Sequence, residues 1–190
     1  MFQPVKSVPI LVCALLLAGC PSLPDAPPAN APAKEASLVE SGRYPAQVAG
    51  YTRGDIEVID HRTPQYLVQY HRFDGFMQNS VTLHFYPAER KLPAQYRFVT
   101  DAILGAHPGS ILLSERELVL QRGEASFPTY ITSFRYREQF AGTEQTVISQ
   151  LVLISLPGRF VQVRSTAPER QSPAAEEGML DLLDIVDWAY

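Results

Sequence analysis

Apolar and polar residues alternate along most of the chain after residue 55, which is typical of strands with one buried face. Pro, Gly and Asp-Gly positions separate the alternating stretches. The strands predicted in this way are 56–61, 66–73, 80–86, 110–121, 126–137, 144–156 and 159–166. Asp74-Gly75 predicts a hairpin turn, and Pro157-Gly158 leaves room only for antiparallel pairing of the strands it joins. The stretch 146–156 is mostly apolar, so we expect it in the interior of its sheet.

Two segments place their apolar residues at helical spacing instead. The first begins at Leu92, has Pro93 in its first turn and ends near Gly105. The second opens at Ser172-Pro173 and extends to about Ala189. Its predicted apolar face is Met179, Leu182, Leu183, Val186 and Tyr190, and its acidic face is Glu177, Asp181, Asp184 and Asp187. The order of three strands, a helix, four strands and a helix predicts an α+β domain. We expect an antiparallel sheet of about seven strands, with the two helices covering a single layer of it.

The first 19 residues have a different pattern, which is typical of an export signal. Residues 1–7 carry Lys6 and no acid, residues 8–18 are almost wholly apolar, and Leu17-Ala18-Gly19-Cys20 follows. The apolar run is too short to span a bilayer as a permanent helix. A short buried core segment, or an ordinary secretory signal with an incidental cysteine, are the alternative interpretations.

The motif at 17–20 resembles the lipobox of bacterial lipoproteins. That resemblance implies removal of the signal peptide 1–19, alkylation of the Cys20 thiol by diacylglycerol and acylation of the new amino terminus. Pro21 follows the cysteine where inner-membrane lipoproteins have Asp, which resembles the outer-membrane default. We therefore expect a protein anchored by lipid to the periplasmic face of the outer membrane, without a membrane span.

Residues 20–37 form a predicted linker between the lipidated Cys20 and the domain. The stretch 21–36 holds five prolines and five alanines and shows no apolar periodicity. Such a segment buries too little to offset its ordering entropy, and it samples extended conformations. The domain is therefore assigned to residues 38–190.

Composition narrows the classes of function. The chain has 190 residues, 46% of them hydrophobic and 19% charged, as expected for one globular domain. Its net charge of −4 argues against a nucleic-acid partner. Cys13 leaves with the signal and Cys20 is consumed by lipid, so the mature domain has no thiol for catalysis or for metal binding.

Three histidines on neighbouring predicted strands are the candidate metal ligands. His61, His71 and His84 could act with Glu57 or Asp60, and His71 could face His84 across the Asp74-Gly75 hairpin. None of them has the local spacing of a ligand pair, so polar histidines on an exposed sheet face are the simpler interpretation. We predict no metal and no cofactor.

Two further groups of residues have candidate chemistry. His107-Pro108-Gly109-Ser110 places an imidazole near a hydroxyl, but the chain has no G-x-S-x-G, H-E-x-x-H or P-loop motif. Arg135 and Arg137 alternate on one strand, and with Arg164 they could hold an anionic headgroup or a peptidoglycan carboxylate. Alternatively, these arginines lie on a solvent face and pair with nearby acids. Trp188 is expected to pack against the sheet.

The element order and the stretch 158–166 before the closing helix resemble the PsbP-type α/β sandwich over residues 45–190. That resemblance implies a non-enzymatic accessory protein that stabilises or services a larger assembly, and no functional residue carries over from it.

Two hypotheses of function follow from the sequence. The first is a tethered, non-catalytic binding or assembly module with an envelope protein as partner. The second is a small periplasmic hydrolase with a site assembled from dispersed His, Ser and acidic residues. A buried cleft that holds His107 and Ser110 together would favour the hydrolase, and a shallow polar surface would favour the binding module.

Overall fold

Eight antiparallel strands form one sheet in the computed structural model, which describes residues 42–60, 62–63, 65–74, 77–140 and 142–189. The strands are β1 (Gln47–Val48), β2 (Tyr51–Asp60), β3 (Gln65–Asp74), β4 (Met77–Pro87), β5 (Ile111–Arg122), β6 (Ala125–Phe140), β7 (Thr143–Leu156) and β8 (Arg159–Pro168). The helices are α1 (Leu92–Ala106) and α2 (Ser172–Ile185), the latter after a 3-10 turn at Glu169–Gln171. The predicted signal peptide 1–19, the linker 20–37 with Cys20, and His61 lie outside the described residues.

The α+β class and the seven predicted strands are confirmed, and one short strand is added to them. This strand, β1, pairs Val48 with Tyr51 through a tight turn at Ala49 and Gly50, both of which have positive φ angles, 49° and 77°. Two residues are too few to produce an alternating pattern, so the sequence could not indicate it. β2 also begins five residues before its predicted start.

The strand order is β1-β2-β3-β4-β8-β7-β6-β5, so the sheet consists of two meanders joined at β4 and β8. The first meander is β1 to β4, α1 crosses over the sheet, and β5 to β8 return toward the middle. At the junction, Thr82 lies opposite Arg164 and His84 lies opposite Gln162. β7 lies inside the sheet, as its apolar sequence predicted.

The two helices pack on opposite faces of the sheet, which we call the α1 face and the α2 face. β7 shows why, because Leu151 and Leu153 belong to the core under α1, whereas Val152 and Ile154 belong to the core under α2. All four side chains are fully buried or nearly so. The expected single layer is therefore wrong: a strand that is apolar on both faces needs cover on both.

On the α1 face, the helix buries Tyr96, Val99 and Ile103 against residues of β6, β7 and β8. The Tyr96 hydroxyl lies 2.8 Å from Thr132 Oγ1, and both residues are buried. This pair satisfies two polar groups that would otherwise be costly inside a core. α1 is thereby fixed over the second meander.

On the α2 face, the core is larger and rich in aromatic side chains. Tyr66 and Phe85 stack with ring centroids 4.5 Å apart, and Tyr44 meets both rings edge-on. α2 adds Met179, Leu182, Leu183 and, just after the helix, Val186. These are four of the five residues of the predicted apolar face, and their burial is confirmed. The fifth, Tyr190, lies outside the described residues.

The chain after α2 is extended rather than helical, so the predicted helix end near Ala189 is wrong. Val186 has ψ of 135° and turns its side chain into the core. Trp188 is buried, as expected, with its ring edge-on to Phe127 and its indole N–H donating to the Leu183 carbonyl at 2.6 Å. The Arg122 guanidinium lies over the Trp188 ring and donates to the Val186 carbonyl at 2.7 Å. Burial of the tryptophan ring and its hydrogen bond stabilise this extended end.

The acidic side of α2 faces solvent, with Asp181 and Asp184 exposed. Asp187 lies beyond the helix, 3.9 Å from Arg43 Nε, so its carboxylate is paired within the chain. No helix in the described part of the chain has the length and apolar character needed to cross a membrane.

Candidate functional site

α1 covers only part of its face, and the remainder is polar. The uncovered part lies on β3, β4 and β8, and we call it the open half. Its polar side chains, all half-buried, are Gln65, Gln69, His71, Ser80, Thr82, His84, Gln162, Arg164 and Thr166. Strict alternation positions them: Val81, Leu83, Val161 and Val163 point to the other face and are completely buried.

Two adjacent cavities lie where α1, and His107 just after it, meet the open half. One part, about 260 Å³, is lined by Gln95 and Phe98 of α1 together with His84, Tyr86 and Gln162. The other, about 250 Å³, is lined by Ser80, Thr82, His107, Tyr136, Glu138, Arg164 and Thr166. The two parts lie over consecutive cross-strand pairs of β4 and β8, and we call them together the α1 groove.

Arg164 is the cation of the second part of this groove, and Ser149, Tyr136 and His107 contact its guanidinium. Nε donates to Ser149 Oγ at 3.0 Å, and Nη2 donates to Tyr136 Oη at 2.9 Å. Nη2 also lies 3.4 Å from His107 Nε2. Ser149 is completely buried and Tyr136 is 3% exposed, so the anchor points are fixed parts of β7 and β6. The orientation of the guanidinium is thus set by the sheet beneath it.

No carboxylate forms an ion pair with Arg164 in the described part of the chain. The ion pairs found there join Arg43 to Asp187, Arg135 to Glu169 and Arg137 to Glu144. Glu138 lines the same cavity as Arg164 but forms none of these pairs. An arginine that is positioned by neutral acceptors keeps its full charge for a ligand.

The structure does not assemble His107 and Ser110 into a nucleophile and base. Their contact is between backbone groups, with the Ser110 N–H donating to the His107 carbonyl at 3.0 Å. The imidazole stacks on the Tyr136 ring, with centroids 3.9 Å apart. Its Nε2 lies 3.4 Å from Arg164 Nη2, so the ring is directed at the guanidinium. His107 therefore helps to hold Arg164 and is not directed at the hydroxyl.

The candidate metal ligands are also separated. His71 and His84 lie on the same face, but His71 pairs with Ser80 whereas His84 pairs with Leu67. The two histidines are therefore offset by four residues along the strands, or about 13 Å. The expectation that they face each other is therefore wrong. Asp60 instead accepts from the Arg62 N–H and from the Thr63 hydroxyl, both at 2.8 Å, and these hydrogen bonds lower the pKa of its carboxyl. Across the described residues, no group of three or more His, Cys, Asp and Glu side chains could hold a metal ion.

His84 belongs to the other part of the α1 groove. Its Nε2 lies 3.1 Å from Gln65 Nε2, and its ring lies against that of Tyr86. Burial lowers the pKa of His84 and raises the pKa of Tyr86 to about 12, so both groups are uncharged at neutral pH. Gln95 of α1 donates to the Tyr86 hydroxyl at 3.1 Å and closes this end of the groove.

Arg135 and Arg137 lie on the opposite face from Arg164, so the three arginines do not form one site. Arg135 Nη1 is 3.7 Å from Glu169 Oε1, and Arg137 Nη2 is 2.8 Å from Glu144 Oε2. These pairs match the alternative interpretation, in which strand arginines pair with nearby acids on a solvent face. A wider cavity of about 590 Å³ beside the 3-10 turn is lined by Glu169, whose charge is already paired.

Sequence reasoning missed the groups that give Arg164 its position. Ser149 interrupts the apolar run of β7, and a buried serine there was the available signal. Tyr136 lies between Arg135 and Arg137, and its place on the opposite face follows from alternation alone. Thr82 and Thr166 gave no signal, because their proximity depends on the register between β4 and β8.

Comparisons with known proteins identify a shared fold. No family model matches the chain, and no curated protein matches it. Among solved structures, PA94 from Pseudomonas aeruginosa, a protein of unknown function, aligns with a TM-score of 0.51 at 11% identity, over 70% of this chain and 94% of its own. LpqN, involved in cell envelope biogenesis of Mycobacterium tuberculosis, aligns with a TM-score of 0.38 at 16% identity, over 72% of this chain and 80% of its own. The chain thus has a fold similar to that of PA94, a protein whose own role is open.

Proposed function

We propose that the protein is a lipid-anchored accessory module of the cell envelope that binds a ligand in the α1 groove without converting it. The observation that carries this proposal is Arg164, whose guanidinium is held by Ser149, Tyr136 and His107 in an open groove and forms no ion pair with a carboxylate in the described part of the chain. Buried serine and tyrosine hydroxyls orient the guanidinium, and a guanidinium oriented in this way is suited to binding an anionic ligand. His107, the nearest candidate base, contacts Arg164 and stacks on Tyr136 rather than facing the Ser110 hydroxyl, which argues against the hydrolase.

The location rests on the amino-terminal sequence. The charged start, the apolar run and the motif ending at Cys20 support export and lipid attachment, and Pro21 supports the outer membrane. Acylation at Cys20 would hold the domain at the periplasmic face by a linker of 17 residues, 21–37. An envelope protein or another envelope component is then the partner within reach.

Labelling with an alkynyl fatty acid tests the anchor. Cys20→Ala should abolish both the label and membrane association, because that thiol carries the diacylglycerol. Cys13→Ala is the matched control and should keep both, since Cys13 leaves with the signal peptide. Retention of the label in Cys20→Ala would disprove the lipid attachment.

Site-specific photocrosslinking tests the groove. A benzophenone amino acid is introduced in place of Gln162, inside the α1 groove, or in place of Asp181, which is exposed on the other face. After irradiation of intact cells, adducts should form from position 162 and not from position 181. Equal adducts from both positions, or none from position 162, would contradict a ligand-binding role of the groove.

A further inference from the structure

The hydrogen-bond pattern of Arg164 leaves one of its nitrogens without an acceptor. Nε and Nη2 are engaged by Ser149, Tyr136 and His107. Neither N–H of Nη1 has an acceptor among the described residues. A half-buried guanidinium with two unused N–H groups gains a hydrogen bond when an anion reaches it.

Hydroxyl groups line the same cavity as the guanidinium. Tyr136 Oη accepts from Nη2, so its own proton remains available to a ligand. Ser80, Thr82 and Thr166 line the same cavity, with Thr166 Oγ1 lying 3.1 Å from Ser149 Oγ. The wall therefore offers one fixed positive charge and several hydroxyl donors, which is a donor set for an oxyanion.

The engaged nitrogens decide which oxyanion fits best. A carboxylate is bound most strongly by two parallel N–H groups of the guanidinium. Here Nη2 is occupied by Tyr136 and His107, and Nε is occupied by Ser149. A carboxylate would have to displace one of these partners. A tetrahedral group has further oxygens that can accept from Nη1 and from the surrounding hydroxyls at the same time.

We propose that the Arg164 end of the α1 groove binds the phosphate group of a phosphodiester. Glu138 lines this cavity and carries negative charge, which disfavours a doubly charged monoester relative to a singly charged diester. The cavity of about 250 Å³ holds a diester with its first substituents. The inference rests on the proposed function and specifies its ligand class, which a lipid headgroup or a soluble diester would both satisfy.

An NMR titration of the mature chain, with Cys20→Ser to prevent lipidation, tests this assignment. Dimethyl phosphate should give saturable shifts of the Arg164 Nε–H and His107 ring signals, and acetate should bind more weakly. Arg164→Gln should weaken dimethyl phosphate binding by about tenfold or more, because the charge-assisted bond is lost. Thr82→Val, which conserves shape, should weaken it by a few-fold, about the effect of one neutral hydrogen bond.

Glu138→Gln should have the opposite effect and strengthen dimethyl phosphate binding, because it removes a negative charge that repels the phosphate. Tighter acetate than dimethyl phosphate binding, unchanged binding in Arg164→Gln, or weaker binding in Glu138→Gln would each overturn the assignment. Vesicles of phosphatidylglycerol then distinguish the sources: competition with dimethyl phosphate identifies a headgroup, and its absence identifies a soluble diester. If crosslinks form at position 162 but no phosphate binds, the groove still binds a ligand and only the phosphate assignment fails.

Discussion

The substitution Leu182→Ala measures how much α2 contributes to the fold. The Leu182 side chain is completely buried in the core of the α2 face. Truncating a buried leucine costs about 2–5 kcal/mol, through lost burial and the cavity left behind. Total stabilities of domains are about 5–15 kcal/mol, so one change removes a large share.

Leu180→Ala is the matched control, because it makes the same chemical change on the same helix at a side chain that is 47% exposed. Both variants alter helix propensity equally, so their difference isolates packing. Leu180→Ala should cost less than about 1 kcal/mol.

Urea unfolding and thermal melting provide the measurement. A loss of about 3 kcal/mol lowers the Tm of a domain of this size by roughly 6–12 °C. Leu182→Ala should therefore melt well below the control and unfold at a lower urea concentration, with an unchanged m-value. If the two variants have equal stability, α2 does not pack on the sheet as described, and the two-face core is refuted.

Three further predictions concern single side chains. Burial lowers the pKa of His84, so the unfolded chain takes up the proton more readily than the folded chain. The free energy of unfolding should therefore fall as the pH drops below about 6.5. In urea titrations, His84→Gln should reduce that loss between about pH 7.5 and about pH 5.5. Arg122→Gln should cost about 1–3 kcal/mol and alter the Trp188 fluorescence, because Arg122 bonds the Val186 carbonyl and covers the indole. Arg137→Ala should change stability by less than about 0.5 kcal/mol in the same assay, since its pair with Glu144 is exposed.

Local pattern accounts for most of the fold that the sequence revealed. Alternation gave the seven longer strands, and helical spacing gave both helices and the buried face of α2. The local pattern did not contain the relative arrangement of elements that are distant in the sequence. The run 146–156 indicated a strand inside the sheet, but the face that each helix covers depends on how the chain crosses the sheet at α1. The early end of α2 reflects a contact between Trp188 and Phe127, 61 positions apart, which no local pattern contains.

The candidate site was harder to predict for the same reason. Arg164 was recognised as a candidate anion ligand, but it was grouped with Arg135 and Arg137. Whether residues of different strands share a face depends on register, and the register places Arg164 opposite Leu151 and Arg135 opposite Ile148. Leu151 and Ile148 are three positions apart on β7, so their side chains, and the arginines opposite them, lie on different faces of the sheet. Tyr136 and Ser149 resemble core residues in the sequence, and only the folded sheet shows that they orient a cation.

The junction of β4 and β8 also has a consequence for how the protein reaches its native state. The pairs joining Pro87 to Arg159 and Ser80 to Thr166 link distant parts of the chain, whereas each meander is built from neighbours in sequence. Contacts between distant positions form slowly, so we expect this junction to close late in folding. The α1 groove lies across it, with Thr82 contributed by one meander and Arg164 by the other. The proposed ligand would therefore need both meanders, and its binding would stabilise the joined sheet over the separated meanders.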